Sequence, residues 1–154
     1  MQKSTARLTR SAAVAAIYFV LSLVLQPVQF GPVQFRPSEA LVMLPLVMPE
    51  SILGVTVGCA LANVASPFGL ADVLIGALAT LISAVLTYAL RKRPLASCLP
   101  PIVINALAIP AVFALSGPTE AYLLSALYVG LSEALVVIVL GLPLSRLVKR
   151  LLRR

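Results

Sequence analysis

The sequence of 154 residues contains no histidine, no tryptophan, two cysteines and only five acidic residues. Without histidine the chain has no imidazole base and no HExxH zinc motif. It also has no GxSxG nucleophile elbow and no Walker A lysine loop. Cys59 and Cys98 lie in apolar segments without metal-ligand spacing, which argues against a zinc site and a disulfide framework. The sequence therefore indicates neither an enzyme nor a chain that hydrolyses ATP by itself.

Charged residues of both signs are scarce, at 11% of the chain, whereas hydrophobic residues make up 60%. A soluble domain is typically about 25% charged. A chain this short cannot hide so many apolar side chains in one soluble core. The composition therefore predicts an all-α polytopic membrane protein that forms a single transmembrane domain over residues 1–154.

The net charge of +7 comes from basic residues that gather in three clusters. Each cluster borders a long apolar run, which is typical of the cytoplasmic ends of membrane helices and not of a nucleic-acid interface. The clusters are Lys3, Arg7 and Arg10; Arg91, Lys92 and Arg93; and Arg146, Lys149, Arg150, Arg153 and Arg154.

The apolar runs between these clusters predict a bundle of six transmembrane helices with both termini cytoplasmic. A basic tail over residues 1–10 precedes an uncharged stretch, residues 11–31, that suits a retained first helix of about twenty residues. The other spans are predicted at residues 38–50, 51–66, 72–90, 98–115 and 121–145. The second is the weakest, because Pro45 and Pro49 interrupt it. The alternative topology is a four-span protein with residues 27–50 as a re-entrant segment.

Polar residues inside so apolar a chain are functional candidates, because charge in or beside a membrane is costly. Each also has a structural alternative: a loop anchor for Arg36, a helix start for Glu39 and Asp72, solvation at a turn for Glu120, and bonds between helices for the asparagines. Glu133, near the middle of the last span, must be paired, hydrated or protonated, and an ion pair with Arg36 is its alternative. The candidates are Gln34, Arg36, Glu39, Asn63, Asp72, Asn105, Glu120 and Glu133.

Small residues four positions apart occur in the first and third spans, as Ala12 with Ala16 and Gly54 with Gly58. Such pairs let helix backbones approach closely. The alanine pair indicates either packing within the chain or a docking face for a partner helix.

The segment VQFRPSEAL at residues 33–41, followed by Leu44 and Pro45, resembles the QueT family of queuosine-precursor transporters. The similarity continues through GxxxGCALAN at residues 54–63 and DVxxGxxATL at residues 72–81. Residues 95–154 match mainly in hydropathy, and Pro37 departs from the family pattern.

The resemblance implies a substrate-binding S component of an energy-coupling-factor (ECF) importer in the plasma membrane of a prokaryote. Its implied partners are a transmembrane coupling subunit and two ATPase subunits, which use the ATP, so that this chain itself binds no cofactor. Ala12 and Ala16 match the family's docking motif. The implied substrate is a 7-deazaguanine such as preQ1.

The polar residues suit such a ligand. A carboxylate accepts two N–H donors from a guanine-like edge, an aminomethyl cation requires a second carboxylate, and a flat ring fits an aromatic slot. We expect Glu39 and Glu133 to supply the two acids and Phe35 or Tyr122 to stack on the ring. The predicted substrate-binding residues are Gln34, Phe35, Arg36, Glu39, Asn63, Asp72, Asn105, Tyr122 and Glu133.

Three alternatives remain open from the sequence. One is an S component for another vitamin-like solute. Another is an autonomous secondary transporter, which usually shows inverted repeats that are not evident here. The third, a membrane scaffold held by GxxxG contacts, leaves Glu133 unexplained.

Overall fold

The computed structural model describes residues 2–29, 35–116 and 122–152, and these contain helices and no strands. A 3-10 helix covers Pro37–Leu46, a shorter one covers Ala96–Cys98, and a π-helical segment, Val136–Gly141, joins the last two α-helices. The all-α prediction is confirmed for this part of the chain. The α-helices are α1 (Gln2–Val24), α2 (Gln26–Gln29), α3 (Ser51–Asn63), α4 (Leu70–Ala89), α5 (Leu99–Ser116), α6 (Tyr122–Leu135) and α7 (Leu142–Leu151).

The 3-10 helix at residues 37–46 lies at the centre of the bundle. Around it α1 packs on α3, α3 on α4, α4 on α5, and α5 on α6. The 3-10 helix itself contacts α1, α3, α4, α7 and the π-helical segment, and residues 38–45 are all buried. Its sequence is apolar on every side except at Ser38 and Glu39, which explains why no face of it meets solvent or lipid.

This central 3-10 helix corrects the predicted second span. The sequence predicts a membrane span at residues 38–50, whereas the structure has a ten-residue 3-10 helix at Pro37–Leu46. No side chain caps this helix, and the Ser38 hydroxyl donates to Gln29 Oε1 at 3.3 Å. At about 2.0 Å per residue the ten residues extend about 20 Å. The thirteen residues of α3 extend about the same distance at 1.5 Å per residue. Two short inner segments thus run for similar lengths through the bundle.

Among the described residues, four helices are long and apolar enough to cross a membrane, at Ser4–Val24, Leu70–Ala89, Ala96–Leu115 and Tyr122–Leu151. The fold is therefore that of a multi-pass membrane protein. Helix α1 already begins at Gln2, so the basic segment predicted to precede the first span is itself helical from that residue. The last helix also extends beyond the predicted end at Ser145, to Leu151.

The three basic clusters meet at one end of the bundle, called here the basic end. Arg10 and Val148 line one groove, and Arg91 and Lys149 line a neighbouring cavity. Arg10 also forms a 3.2 Å salt bridge with Glu50. This arrangement agrees with the predicted topology, which places all three basic clusters on the same side of the membrane.

Candidate ligand-binding site

Buried polar side chains gather around the first turn of the central 3-10 helix and the ends of the helices beside it. Each of them is at most 4% exposed. Buried polar groups need hydrogen-bonding partners, and buried charges need compensation, to be tolerated. The members of this polar cluster are Tyr18, Ser22, Gln29, Arg36, Ser38, Glu39, Cys59, Asn63, Asp72, Thr80, Asn105 and Glu133.

Asn63, the last residue of α3, organises one side of the polar cluster. Its Oδ1 accepts a 2.8 Å hydrogen bond from Arg36 Nη2. Its Nδ2 donates to the backbone oxygen of Asp72 at 2.9 Å and to Cys59 Sγ at 3.5 Å. The amide is therefore engaged on both its donor and its acceptor side by the protein. It fixes the Arg36 guanidinium against the junction of α3 and α4.

Two close approaches of backbone make room for these contacts. A Cβ atom at Gly76 of α4 would collide with the Asn63 side chain. A Cβ at Gly58 of α3 would lie 2.7 Å from the Tyr18 Cβ and 2.8 Å from the Ala15 carbonyl oxygen. The GxxxG pair is predicted to allow close helix packing, and this close packing occurs between α3 and α1.

Residues of α1 and α2 hold the other side of the cluster. The Tyr18 hydroxyl donates a hydrogen bond to Oε1 of Glu39, 21 residues away in the sequence. Ser22 donates to Ser38 at 3.0 Å, and Ser38 donates in turn to Gln29. These bonds orient the Glu39 carboxyl from one direction and leave its second oxygen available.

Three side chains in the cluster converge with polar atoms unused. Asn105 of α5 lies beside the carboxyl groups of both Glu39 and Glu133. Glu39 Oε2, Asn105 Nδ2 and Glu133 Oε1 are buried without a well-aligned hydrogen bond to any described residue, although the Asn105 amide interacts with both carboxyl groups. Buried atoms of this kind are rare in native structures and call for an explanation such as a ligand or ordered water.

The cluster is acidic. It holds three carboxyl groups, those of Glu39, Asp72 and Glu133, and one guanidinium, that of Arg36. Arg36 attracts all three electrostatically. The attraction between Arg36 and Glu133 leaves an ion pair with Arg36 open as the alternative role of this acid. The arrangement suits a ligand that brings N–H donors or a positive charge.

Six of the predicted site residues are thus brought together: Arg36, Glu39, Asn63, Asp72, Asn105 and Glu133. Phe35 is half-buried beside Arg36. Tyr122 stands apart, because it precedes Glu133 by about 16 Å along the helix and donates to the Leu107 carbonyl oxygen at 3.0 Å.

Two predicted candidates, Gln34 and Glu120, lie outside the described residues. The proposed docking residues Ala12 and Ala16 are exposed on α1, so they do not serve packing within the described part of the chain.

Sequence reasoning missed several members of the cluster, among them Tyr18, Ser22 and Gln29. A signal was present in the first span. Ser11, Ala15, Tyr18 and Ser22 are spaced at i, i+4, i+7 and i+11, which places small and hydroxyl-bearing residues on one helix face. In an otherwise aliphatic span this stripe marks the face that turns inward.

The chain was compared with known proteins. A family model described as "QueT transporter" matches residues 8–150. The queuosine precursor transporter QueT of Lactococcus lactis subsp. cremoris (strain MG1363) is 39% identical over 85 residues, which are 53% of this chain and 50% of that protein. The chain thus spans about half the length of this curated relative. No solved structure matches. Because the family model covers almost the whole sequence, the chain belongs to the QueT transporter family.

Proposed function

We propose that this protein is the substrate-binding S component of an ECF-type importer and that it captures a 7-deazaguanine precursor of queuosine, such as preQ1, from outside the cell. One observation carries the proposal: Glu39, Asn105 and Glu133 converge with unused polar atoms inside an acidic cluster. The name of the matched Lactococcus protein supports the same class of substrate.

The chemistry of the cluster complements preQ1. The guanine-like edge of this base presents adjacent N–H donors, which one carboxylate accepts in a bidentate pair. Its aminomethyl group is a cation, which the second carboxylate balances. Asn105 stands beside both acids, so its amide reads a polar edge of the ring between them. We assign the two acid roles to Glu39 and Glu133 as a pair, and do not specify which of them binds the guanine-like edge and which binds the aminomethyl group.

Arg36 and Asn63 position the site. The Asn63 amide forms its hydrogen bonds with other groups of the protein, so its role is to hold Arg36 and the start of α4. Arg36 offsets part of the acidic charge when no ligand is bound. Phe35, half-buried at the edge of the cluster, supplies the aromatic surface for the ring.

The proposal also includes a membrane topology for the chain and its partner subunits. Six segments cross the membrane of a prokaryotic cell: the four long helices, the central 3-10 helix and α3. The basic end then faces the cytoplasm with both termini, as the positive-inside rule favours. Ala12 and Ala16, exposed on α1, dock the coupling subunit, and two ATPase subunits supply the energy.

Calorimetric titration of the purified protein tests the substrate. We expect preQ1 to bind, and guanine and riboflavin to bind far more weakly. Glu39→Gln and Glu133→Gln should each weaken preQ1 binding about ten-fold or more, because each removes a charge-assisted hydrogen bond. Glu50→Gln is the matched control, since Glu50 pairs with Arg10 at the basic end. Unchanged affinity in both site variants would contradict this site.

Other outcomes identify the alternatives. Binding of riboflavin in place of preQ1 would point to an S component for another solute. Uptake of preQ1 into liposomes without ATPase subunits would indicate an autonomous transporter. A protein that binds none of the three compounds would fit the scaffold alternative.

A further inference from the structure

A cavity with cationic lining residues lies at the basic end, away from the ligand-binding cluster. It measures about 80 Å³ and lies between the end of the central 3-10 helix, the loop after α4, and α7. Three cations from two separate parts of the sequence meet in its wall. The lining residues are Leu46, Val47, Arg91, Pro94, Leu142, Ser145, Arg146 and Lys149.

A groove of about 300 Å³ adjoins this cavity. It is lined by Leu46, Val47, Lys149 and Leu152, and the first three also line the cavity. Three of the four lining residues are aliphatic, and Lys149 supplies the charged part of the wall. The cationic cavity thus continues into a groove with aliphatic side chains, which suits an amphiphile with an anionic head.

None of the described acidic side chains neutralises the cavity. Glu39, Asp72 and Glu133 belong to the ligand-binding cluster, and Glu50 pairs with Arg10. The described part of the chain thus offers no carboxylate to these three cations, which lie exposed at the basic end.

Arg91 is held in place within this wall. Its guanidinium lies 4.2 Å from the centroid of the Tyr88 ring, and its Nη1 donates to the Tyr88 carbonyl oxygen at 3.2 Å. These contacts leave its remaining N–H donors for an anion and reduce the conformational freedom lost on binding.

We propose that the cavity binds the phosphate headgroup of an anionic phospholipid and that the adjoining groove receives one of its acyl chains. Basic pockets between membrane helices on the cytoplasmic side bind such headgroups. A phosphate ion alone would satisfy the cations, but it would leave the groove without an occupant. The lipid is therefore the source of phosphate that fits both features.

A charge-matched pair of triple variants tests the proposal on the full chain. The lining variant carries Arg91→Gln, Arg146→Gln and Lys149→Gln. The control variant carries Lys92→Gln, Arg93→Gln and Arg150→Gln, which remove the same charge from neighbouring positions that do not line the cavity. Native mass spectrometry would count short-chain phosphatidylglycerol bound to each variant, with phosphatidylcholine and inorganic phosphate as separate ligands.

We expect the wild-type and control proteins to retain one phosphatidylglycerol more tightly than phosphatidylcholine. The lining variant should lose about five-fold in affinity for each cation removed. Equal loss in both triple variants would reduce the effect to diffuse attraction and overturn the proposal. Inorganic phosphate that binds as tightly as the lipid would assign the cavity to a small anion. Unchanged lipid binding in the lining variant would leave the cavity to an acidic partner protein and overturn the proposal as well.

Two single variants test the proposal independently in case a triple variant does not fold. Lys149→Gln and Arg150→Gln are adjacent on α7, and only the first lines the cavity. We expect the first alone to weaken phosphatidylglycerol binding. Binding of preQ1 should be the same in both, so failure of the lipid site and failure of the proposed function are separate results.

Discussion

Arg36 Nη2 donates a 2.8 Å hydrogen bond to Asn63 Oδ1, across 27 residues of sequence and between two inner segments of the bundle. The bond joins the start of the central 3-10 helix to the end of α3. Because Asn63 also donates to the Asp72 carbonyl, a single amide connects three elements at the end opposite the basic clusters. The ligand-binding cluster is thus organised by hydrogen bonds that connect these three elements, and not by a loop.

Asn63→Ala should destabilise the protein. It leaves a buried guanidinium without this acceptor and the Asp72 carbonyl without its donor, at a cost of about 1–3 kcal/mol in the free energy of unfolding. Thermal unfolding in detergent measures the change. Val64→Ala is the control, because the neighbouring Val64 is 71% exposed and should matter little. Equal losses in the two variants would contradict the role given to Asn63.

Asn105→Leu should separate binding from stability. The Nδ2 atom of Asn105 is buried without a well-aligned hydrogen bond to any described residue, and a buried polar group in that state costs the fold free energy that an apolar group of similar size does not. We expect an unfolding temperature at or above that of the wild type, together with preQ1 affinity at least about ten-fold weaker. A variant that unfolds earlier and still binds preQ1 normally would show that Asn105 serves the fold.

Tyr18→Phe should act on Glu39 through one hydroxyl group. The variant keeps the buried ring and removes the donor to Glu39 Oε1, a bond to a charged group worth about 1.5–3 kcal/mol. The free energy of unfolding should fall by an amount in that range, as followed by chemical denaturation. The same change at Tyr128, which is 43% exposed, is the comparison and should have almost no effect.

Gly58→Ala should force α1 and α3 apart. The new methyl group would meet the Ala15 carbonyl oxygen and the Tyr18 Cβ, and overpacking of this kind costs about 1–3 kcal/mol. Gly130→Ala is a matched change, because its methyl group meets only the Ala106 side chain, at 3.3 Å. A comparison of thermal midpoints decides the matter: a drop confined to Gly58→Ala supports the close crossing, and equal drops would contradict it.

Much of the fold could be predicted from the sequence because its causes are local. The apolar runs predict the long helices, and the placement of arginines and lysines predicts that the three basic clusters share one end. Residues such as Arg36 and Glu133 stand out because charge is costly in this setting. Six of the nine predicted substrate-binding residues lie in the buried polar cluster.

The rest depends on three-dimensional contacts. Residues 37–46 are apolar whether they form an α-helix or a 3-10 helix, so composition could not distinguish the two. Tyr18 is one of four tyrosines in the sequence, and only the crossing of α1 and α3 brings it to Glu39. Tyr122 shares a helix face with Glu133, but three helical turns separate the two side chains along α6.

The central 3-10 helix has different chemical surroundings at its two ends. Arg36 and Glu39 stand at its first turn, and Leu46 and Val47 form part of the cavity wall at its last. Neighbouring elements enclose the segment along its length. A slide of one residue along its axis, about 2.0 Å, would displace the groups at both ends together.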